Sequence, residues 1–207
     1  MGDPVTSRAR ALAAPILSLL LAASAAAQTP SEVRIDIRGT GQRMRLRVEP
    51  LTAAGDRASR ATAPQADDVL GRDLQWSATF DVQRGGEAAP AGWEPQAVVR
   101  GRFEQHGNQV TLRADVRDHP GGRSILDREW RGAAADWRAL VHAMADEIVL
   151  QFTGEAGVAS TQLVFVSPKG GEKELWVMDA DGWSPRPLTQ DRSIAQSPSW
   201  SPEGSLI

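Results

Sequence analysis

Apolar and polar residues alternate strictly in two stretches after the first thirty or so positions. Val33, Ile35 and Ile37 alternate with Arg34 and Asp36, and Met44, Leu46 and Val48 alternate with Arg45, Arg47 and Glu49. A period of two buries one face of a strand and wets the other. Both stretches therefore read as β-strands, the first punctuated by Gly39-Thr40-Gly41 and the second stopped at Pro50. Residues Ala53–Pro64 are small and polar without a period and are expected to form a loop. Ala66, Val69, Leu70 and Leu74 then return at helical spacing, with Asp67 and Asp68 in the first turn, which predicts a helix of about three turns. Phe80–Val82 is expected as a short strand. Arg84–Pro95 is rich in Gly, Ala and Pro and is expected as a second loop, with Trp93 as its exposed contact. Ala97–Glu104 and Val110–Asp118 pattern as a hairpin around Gly107-Asn108, and Ile125–Trp130 supplies a third strand of the meander.

The longest helical pattern is Asp136–Gly157, where Leu140, Val141, Met144, Ile148, Val149 and Phe152 form one apolar stripe. Arg138, His142, Asp146 and Glu147 lie mainly beside or away from that stripe. Asp136 is expected to cap the start through its carboxylate, and Thr153-Gly154 to end the helix, with Gly154 taking a positive φ. Two helices over about five strands make an α/β domain with a mixed sheet. Past Gly157 the character changes to short apolar strands, Gln162–Ser167 and Lys173–Asp179, separated by Pro/Gly turns. Trp176 and Trp200 in this region are expected to pack. One way to close such strands is a β-propeller. A single unit fits before Ile207, so the chain reads as cut short there. The organisation expected is a signal peptide over 1–27, an α/β domain over 28–153, a linker over 154–161 and a first, incomplete propeller repeat over 162–207.

Composition sharpens this picture at the amino terminus. Arg8 and Arg10 precede an almost wholly apolar run, Leu12 through Ala27, that ends in Ala25-Ala26-Ala27 before Gln28. That order is the pattern of a cleaved export signal. Its loss removes Asp3, Arg8 and Arg10 and takes the formal charge from −3 to −4. A mild negative balance argues against a nucleic-acid binder, which would show a basic stripe. The absence of cysteine removes disulfide and thiolate chemistry.

Candidate chemistry is sparse. His142 and Asp146 lie four apart on one helical face, where they share a hydrogen bond or serve as two metal ligands. The third ligand and an H-E-x-x-H spacing are lacking, so a structural pair at the domain boundary is expected. Asp179, Asp181 and Gly182 fall short of a calcium loop and read as a turn. Lys169-Gly170-Gly171 lacks the frame of a phosphate loop, and the chain has no G-x-S-x-G elbow. The residues therefore point to a binding or scaffold protein without a cofactor.

The stretch LVHAMADEIVLQFTGEAGVASTQLVFVS, Leu140–Ser167, resembles the TolB family, the exported β-propeller proteins of the Tol–Pal system in Gram-negative bacteria. ELWVMDADG, PLTQD and SPSWSPEG after it resemble one propeller repeat of that family. The chain departs from the family pattern at Val158, Gln162 and Glu203. The resemblance implies a non-catalytic periplasmic adaptor that supports outer-membrane integrity and cell division. It would link inner-membrane Tol proteins to the peptidoglycan-associated lipoprotein, with no nucleic acid and no small-molecule substrate. The same resemblance places the inner-membrane contact on Gln28, Thr29, Pro30, Ser31, Glu32 and Val33. It assigns the lipoprotein contact to the propeller, and leaves His142, Asp146, Thr153, Gly154 and Gly157 to hold the domain junction. Two alternatives stay open from sequence: the propeller side of an exported prolyl-oligopeptidase-like peptidase, and an exported binding module for an unassigned ligand.

Overall fold

A computed structural model describes residues 43–168, 173–191 and 197–207. The expected signal peptide, the segment Gln28–Val33 and the strand Val33–Ile37 lie outside the described residues. The compact unit that holds the described residues spans Val33–Ile207. Its first part is a mixed sheet of strands β1 (Met44–Val48), β2 (Thr52–Gly55), β3 (Phe80–Arg84), β4 (Ala97–His106), β5 (Gln109–Asp118) and β6 (Ser124–Ala133). Helices α1 (Arg57–Trp76) and α2 (Trp137–Thr153) cover one face of it. The strand order is β3-β1-β4-β5-β6, with β2 also paired to β4. β1 runs parallel to both β3 and β4, whereas β4, β5 and β6 form an antiparallel meander.

β1 and β2 are one strand interrupted by a bulge. Val48 pairs with Val99 and Thr52 with Arg102, so three residues, Glu49 to Leu51, face two on β4. Pro50 cannot donate to the ladder, and the chain bends there. The N–H of Leu51 that leaves the ladder donates to Asp67 Oδ1 at 3.0 Å, and Leu51 itself is buried.

This explains a correction to the sequence reading. Ala53–Pro64, expected as a loop, holds β2 and the first two turns of α1. The helix begins at Asp56, whose carboxylate accepts from the Ser59 N–H at 3.1 Å. The alanines that blurred the period, Ala58, Ala61 and Ala63, are good helix formers, and Pro64 is carried inside the helix. Asp67 is consequently a mid-helix residue. It is buried and paired with Arg84 of β3.

The inward positions follow the predicted alternation. Leu46, Val48, Val99, Phe103, Val110, Leu112, Ala114 and Val116 meet Val69, Leu70 and Leu74 of α1 and Val141, Met144, Ile148 and Phe152 of α2 in one core. Fully burying each large side chain is worth about 1.5–3 kcal/mol. Phe152 meets Phe80 edge to face at 5.4 Å. The opposite sheet face is wet and carries ion pairs: Arg113 grips Asp127 at 2.8 and 3.0 Å, and Arg117 meets Asp115 at 3.0 Å.

Beyond α2 lies a separate antiparallel sheet of β7 (Gln162–Ser167), β8 (Glu174–Asp179) and β9 (Arg186–Pro187). It is unclosed, as an incomplete propeller unit is. Among the described residues it has little cover: Leu163 to Val166 are at best half-buried and Val177 is its one buried apolar residue. Two tryptophans differ from expectation. Trp200 is exposed, while Trp93 is half-buried and its Nε1–H donates to Asp81 at 2.8 Å.

Candidate functional site at the helix–sheet junction

Three elements converge where the small sheet meets the helices. α1 brings Asp73 near its C-terminal end, α2 brings Arg138, His142 and Asp146, and the turn after β8 brings Asp181. The entry to α2 decides which way its first residues point. A 3₁₀ turn over Ala134–Asp136 leads into the helix, so Asp136 sits at φ −96° and ψ 11° and makes no side-chain cap. The expected cap is therefore not formed, because Asp136 lacks the extended backbone that swings a carboxylate onto the first N–H groups.

His142 is 4% exposed, although the periodicity set it beside the apolar stripe. Its partner is not Asp146. The Nδ1 edge faces Asp73 Oδ2 at 2.7 Å, and Nε2 lies 3.7 Å from Asp181 Oδ2 with no hydrogen-bond partner among the described residues. Arg138, one turn earlier, forms an ion pair with Asp181 and lies over the Trp183 ring at 4.7 Å. The Trp183 N–H donates to Asp181 Oδ1 at 2.9 Å. Helices α1 and α2 and the β8–β9 turn are thus fastened by two carboxylates, one guanidinium and one imidazole.

The charges set one another. Burial pulls the His142 pKa down, but the hydrogen bond to Asp73 and the charges of Asp73 and Asp181 outweigh it and leave the imidazole above its ordinary value. Burial pushes the Asp73 carboxyl up, against the opposing pull of His142. Burial also pushes Asp181 up, yet the Trp183 N–H and Arg138 more than reverse it and hold that carboxyl below the usual range.

Asp146 serves the linker. Its Oδ1 accepts from Ala159 N at 2.7 Å and its Oδ2 from Ser160 N at 2.9 Å. Gly157 passes so close that a Cβ there would lie 2.8 Å from Asp146 Cα and against Oδ1. At the helix end Gly154 adopts φ +78° and donates to Leu150 O at 2.8 Å, as expected of a left-handed terminator. The Thr153 hydroxyl bonds the Val149 carbonyl at 2.9 Å and accepts from Glu155 N at 3.1 Å.

An open apolar groove of about 350 Å³ runs beside this cluster, lined by Trp76, Ala145, Val149, Val158, Leu163 and Asp181 among others. Trp76 is 60% exposed at its rim and Val158 63%. Sequence reasoning found His142, Asp146, Thr153, Gly154 and Gly157 but missed Asp73, Arg138 and Asp181 as one cluster, and missed the groove. One signal was available: Asp73 occupies the same helical stripe as Val69, Leu70 and Leu74, where an acid is buried.

Asp73, His142 and Asp181 offer ligand atoms within 4.8 Å of one another, the spacing of a metal cluster. In the structure these atoms are already engaged with one another: Asp73 meets Nδ1 at 2.7 Å, and Asp181 meets Arg138 and the Trp183 N–H. The arrangement is that of an ion-pair network. The other histidines also pair with acids, His106 with Glu104 at 2.9 Å and His119 with Glu94 at 4.0 Å.

No family model matches the sequence. Among known proteins, the chain is 34% identical over 219 residues to the Tol-Pal system protein TolB of Anaeromyxobacter dehalogenans strain 2CP-C, covering 98% of this chain and 49% of the relative. It is 28% identical to the Tol-Pal system protein TolB of Geobacter sulfurreducens, over 92% of this chain and 48% of that protein. The chain spans about half the length of the relatives it matches. Among solved structures, the crystal structure of TolB from Acinetobacter baumannii superposes with a TM-score of 0.64 at 20% identity, over 79% of this chain and 42% of that one, a likeness of fold.

Proposed function

The chain is a homologue of TolB that corresponds to the amino-terminal domain of that family, and from this premise we propose that it acts as a non-catalytic periplasmic adaptor of the Tol–Pal system. The observation that carries the reading is the similarity to Tol–Pal proteins along nearly the whole chain, junction included. In this reading residues 1–27 direct export, 28–153 form the α/β domain, 154–161 the linker and 162–207 the first propeller repeat. Gln28, Thr29, Pro30, Ser31, Glu32 and Val33 engage the inner-membrane Tol partner. A polar, helix-poor segment suits ordering on a partner by main-chain hydrogen bonds. The peptidoglycan-associated lipoprotein is met by the propeller. His142, Asp146, Thr153, Gly154 and Gly157 hold the α/β domain to the propeller, a role that the ion-pair cluster and the capped linker support.

The test is capture from solubilised envelope membranes, with this chain and a full-length relative as parallel baits. The adaptor reading expects the inner-membrane Tol partner with both baits, and loss of that partner when Gln28–Glu32 is deleted. Undiminished capture by the deleted form would overturn the assignment of that segment. Failure of both baits to bring down any Tol or lipoprotein partner would overturn the adaptor reading itself.

A further inference from the structure

His142 bridges two acids on two different elements, and only its protonated form can satisfy both. Asp73 belongs to α1 and faces Nδ1 at 2.7 Å; Asp181 belongs to the turn after β8 and faces Nε2 at 3.7 Å. A neutral imidazole has one N–H. If Nδ1 keeps it for Asp73, Nε2 turns a lone pair toward the Asp181 carboxylate, and attraction becomes repulsion across a buried gap. We propose that His142 is a proton-operated latch: as imidazolium it fastens the β8–β9 turn to the helix pair, and as neutral imidazole it loosens that turn.

The charged groups that face the ring are Asp73 from α1, Arg138 from its own helix and Asp181 from the turn. Asp146, one turn further along α2, is committed to the linker N–H groups of Ala159 and Ser160. Counting the four members, two acids balance Arg138 and a protonated His142, and loss of the proton leaves one buried negative charge uncompensated. The Arg138–Asp181 ion pair does not depend on the imidazole proton, so release is partial and the turn stays attached by a weaker hold. The direction follows from linkage: a base raised in the folded state contributes fully below its unfolded value of about 6.5 and loses that contribution as pH rises through the raised value. The latch is closed below the ordinary imidazole value of about 6.5 and opens as pH rises through the raised value.

Amide hydrogen exchange on the full chain tests this, read at Ala180, Gly182 and Trp183. Their N–H groups bond Thr161 O, Asp179 O and Asp181 Oδ1, within the turn and to the residue before β7, so they report the order of the turn that the imidazolium holds in place. After correction for intrinsic base catalysis, their opening constants are expected to rise about tenfold between pH 5.5 and 8.5, a change of about 1.4 kcal/mol. His142→Gln should abolish the step and give flat opening constants. Should His142→Gln fail to fold, Asp181→Asn removes the charge that the imidazolium holds and should flatten the profile as well. A flat wild-type profile, or a step that persists in the variant, would overturn the latch. Disappearance of the wild-type step on adding a chelator would also overturn it, by assigning the step to a bound ion.

Discussion

Replacing Gly157 with alanine isolates the hold of the linker on α2. The new Cβ would lie 2.8 Å from Asp146 Cα, a backbone atom that cannot turn aside, and against the carboxylate oxygen that accepts from Ala159. Relief requires the linker to back away and give up the Ala159 and Ser160 bonds, now 2.7 and 2.9 Å. A hydrogen bond to a charged group is worth about 1.5–3 kcal/mol, and these two lie near water, so their joint loss is about 2–3 kcal/mol. Stiffening of the unfolded chain by alanine returns about 0.4–1 kcal/mol. The net is about 1–2.6 kcal/mol, or about a five- to eightyfold rise in the opening constants of the Ala159 and Ser160 amides by hydrogen exchange. Gly154→Ala is the control. It meets open space but sits at φ +78°, so it should cost about 1–2 kcal/mol of global stability through left-handed strain and leave the two linker amides protected. In an Asp146→Ala background the linker bonds are already gone, and Gly157→Ala should add much less. Wild-type exchange at Ala159 and Ser160 in Gly157→Ala would refute the reasoning.

Phe152→Ala removes the partner of Phe80 at the centre of the core and should cost about 3–5 kcal/mol in urea unfolding, with the fold retained at low denaturant. Asp67→Ala leaves the Leu51 N–H and the Arg84 guanidinium without their shared acceptor and should cost about 2–4 kcal/mol; Asp67→Asn should recover part of that through the Leu51 bond. On the acid side, Asp181 is held below the usual carboxylate range, so its contribution is complete above about pH 3.8 and is lost as pH falls through the lowered value. Urea midpoints followed from pH 5 to 2.5 should lose that part of their slope in Asp181→Asn.

The elements that could be read from sequence are those whose period is set by one neighbour layer. β1 and β5 sit on a single core face, so their alternation is clean, and α2 shows its stripe for the same reason. β2 escaped because Thr52–Gly55 carries no alternation: its strand character comes from pairing to β4 and from a bulge whose free N–H is met by Asp67. The start of α1 escaped because alanines and Pro64 look like a loop until Asp56 is recognised as the cap. The junction was half legible. Helical spacing showed Asp146 as a neighbour of His142, but the true partner is 69 residues away on another helix. No local pattern carries that pairing, and an acid on an apolar stripe, Asp73, was its one trace. Val33–Ile37 and Gln28–Val33 lie outside the described residues, so their readings stand on sequence.

The junction is closed by charge as well as by shape. An interface closed by apolar packing is insensitive to direction, whereas this one joins the small sheet to the helices through Arg138, His142, Asp73 and Asp181 and leaves an apolar groove open beside them. A buried ion cluster contributes little net stability against apolar residues of the same size, because desolvation offsets most of the attraction. Losing any one member is nonetheless costly, about 3–5 kcal/mol for a buried pair, since the others are left uncompensated. Such a contact is weak in sum and strict in geometry: it favours one orientation of the β8–β9 turn on the helices over its neighbours without locking it. A partner that alters the charge at one member, or fills the groove between Trp76 and Val158, can therefore shift that orientation with a modest share of its own binding free energy.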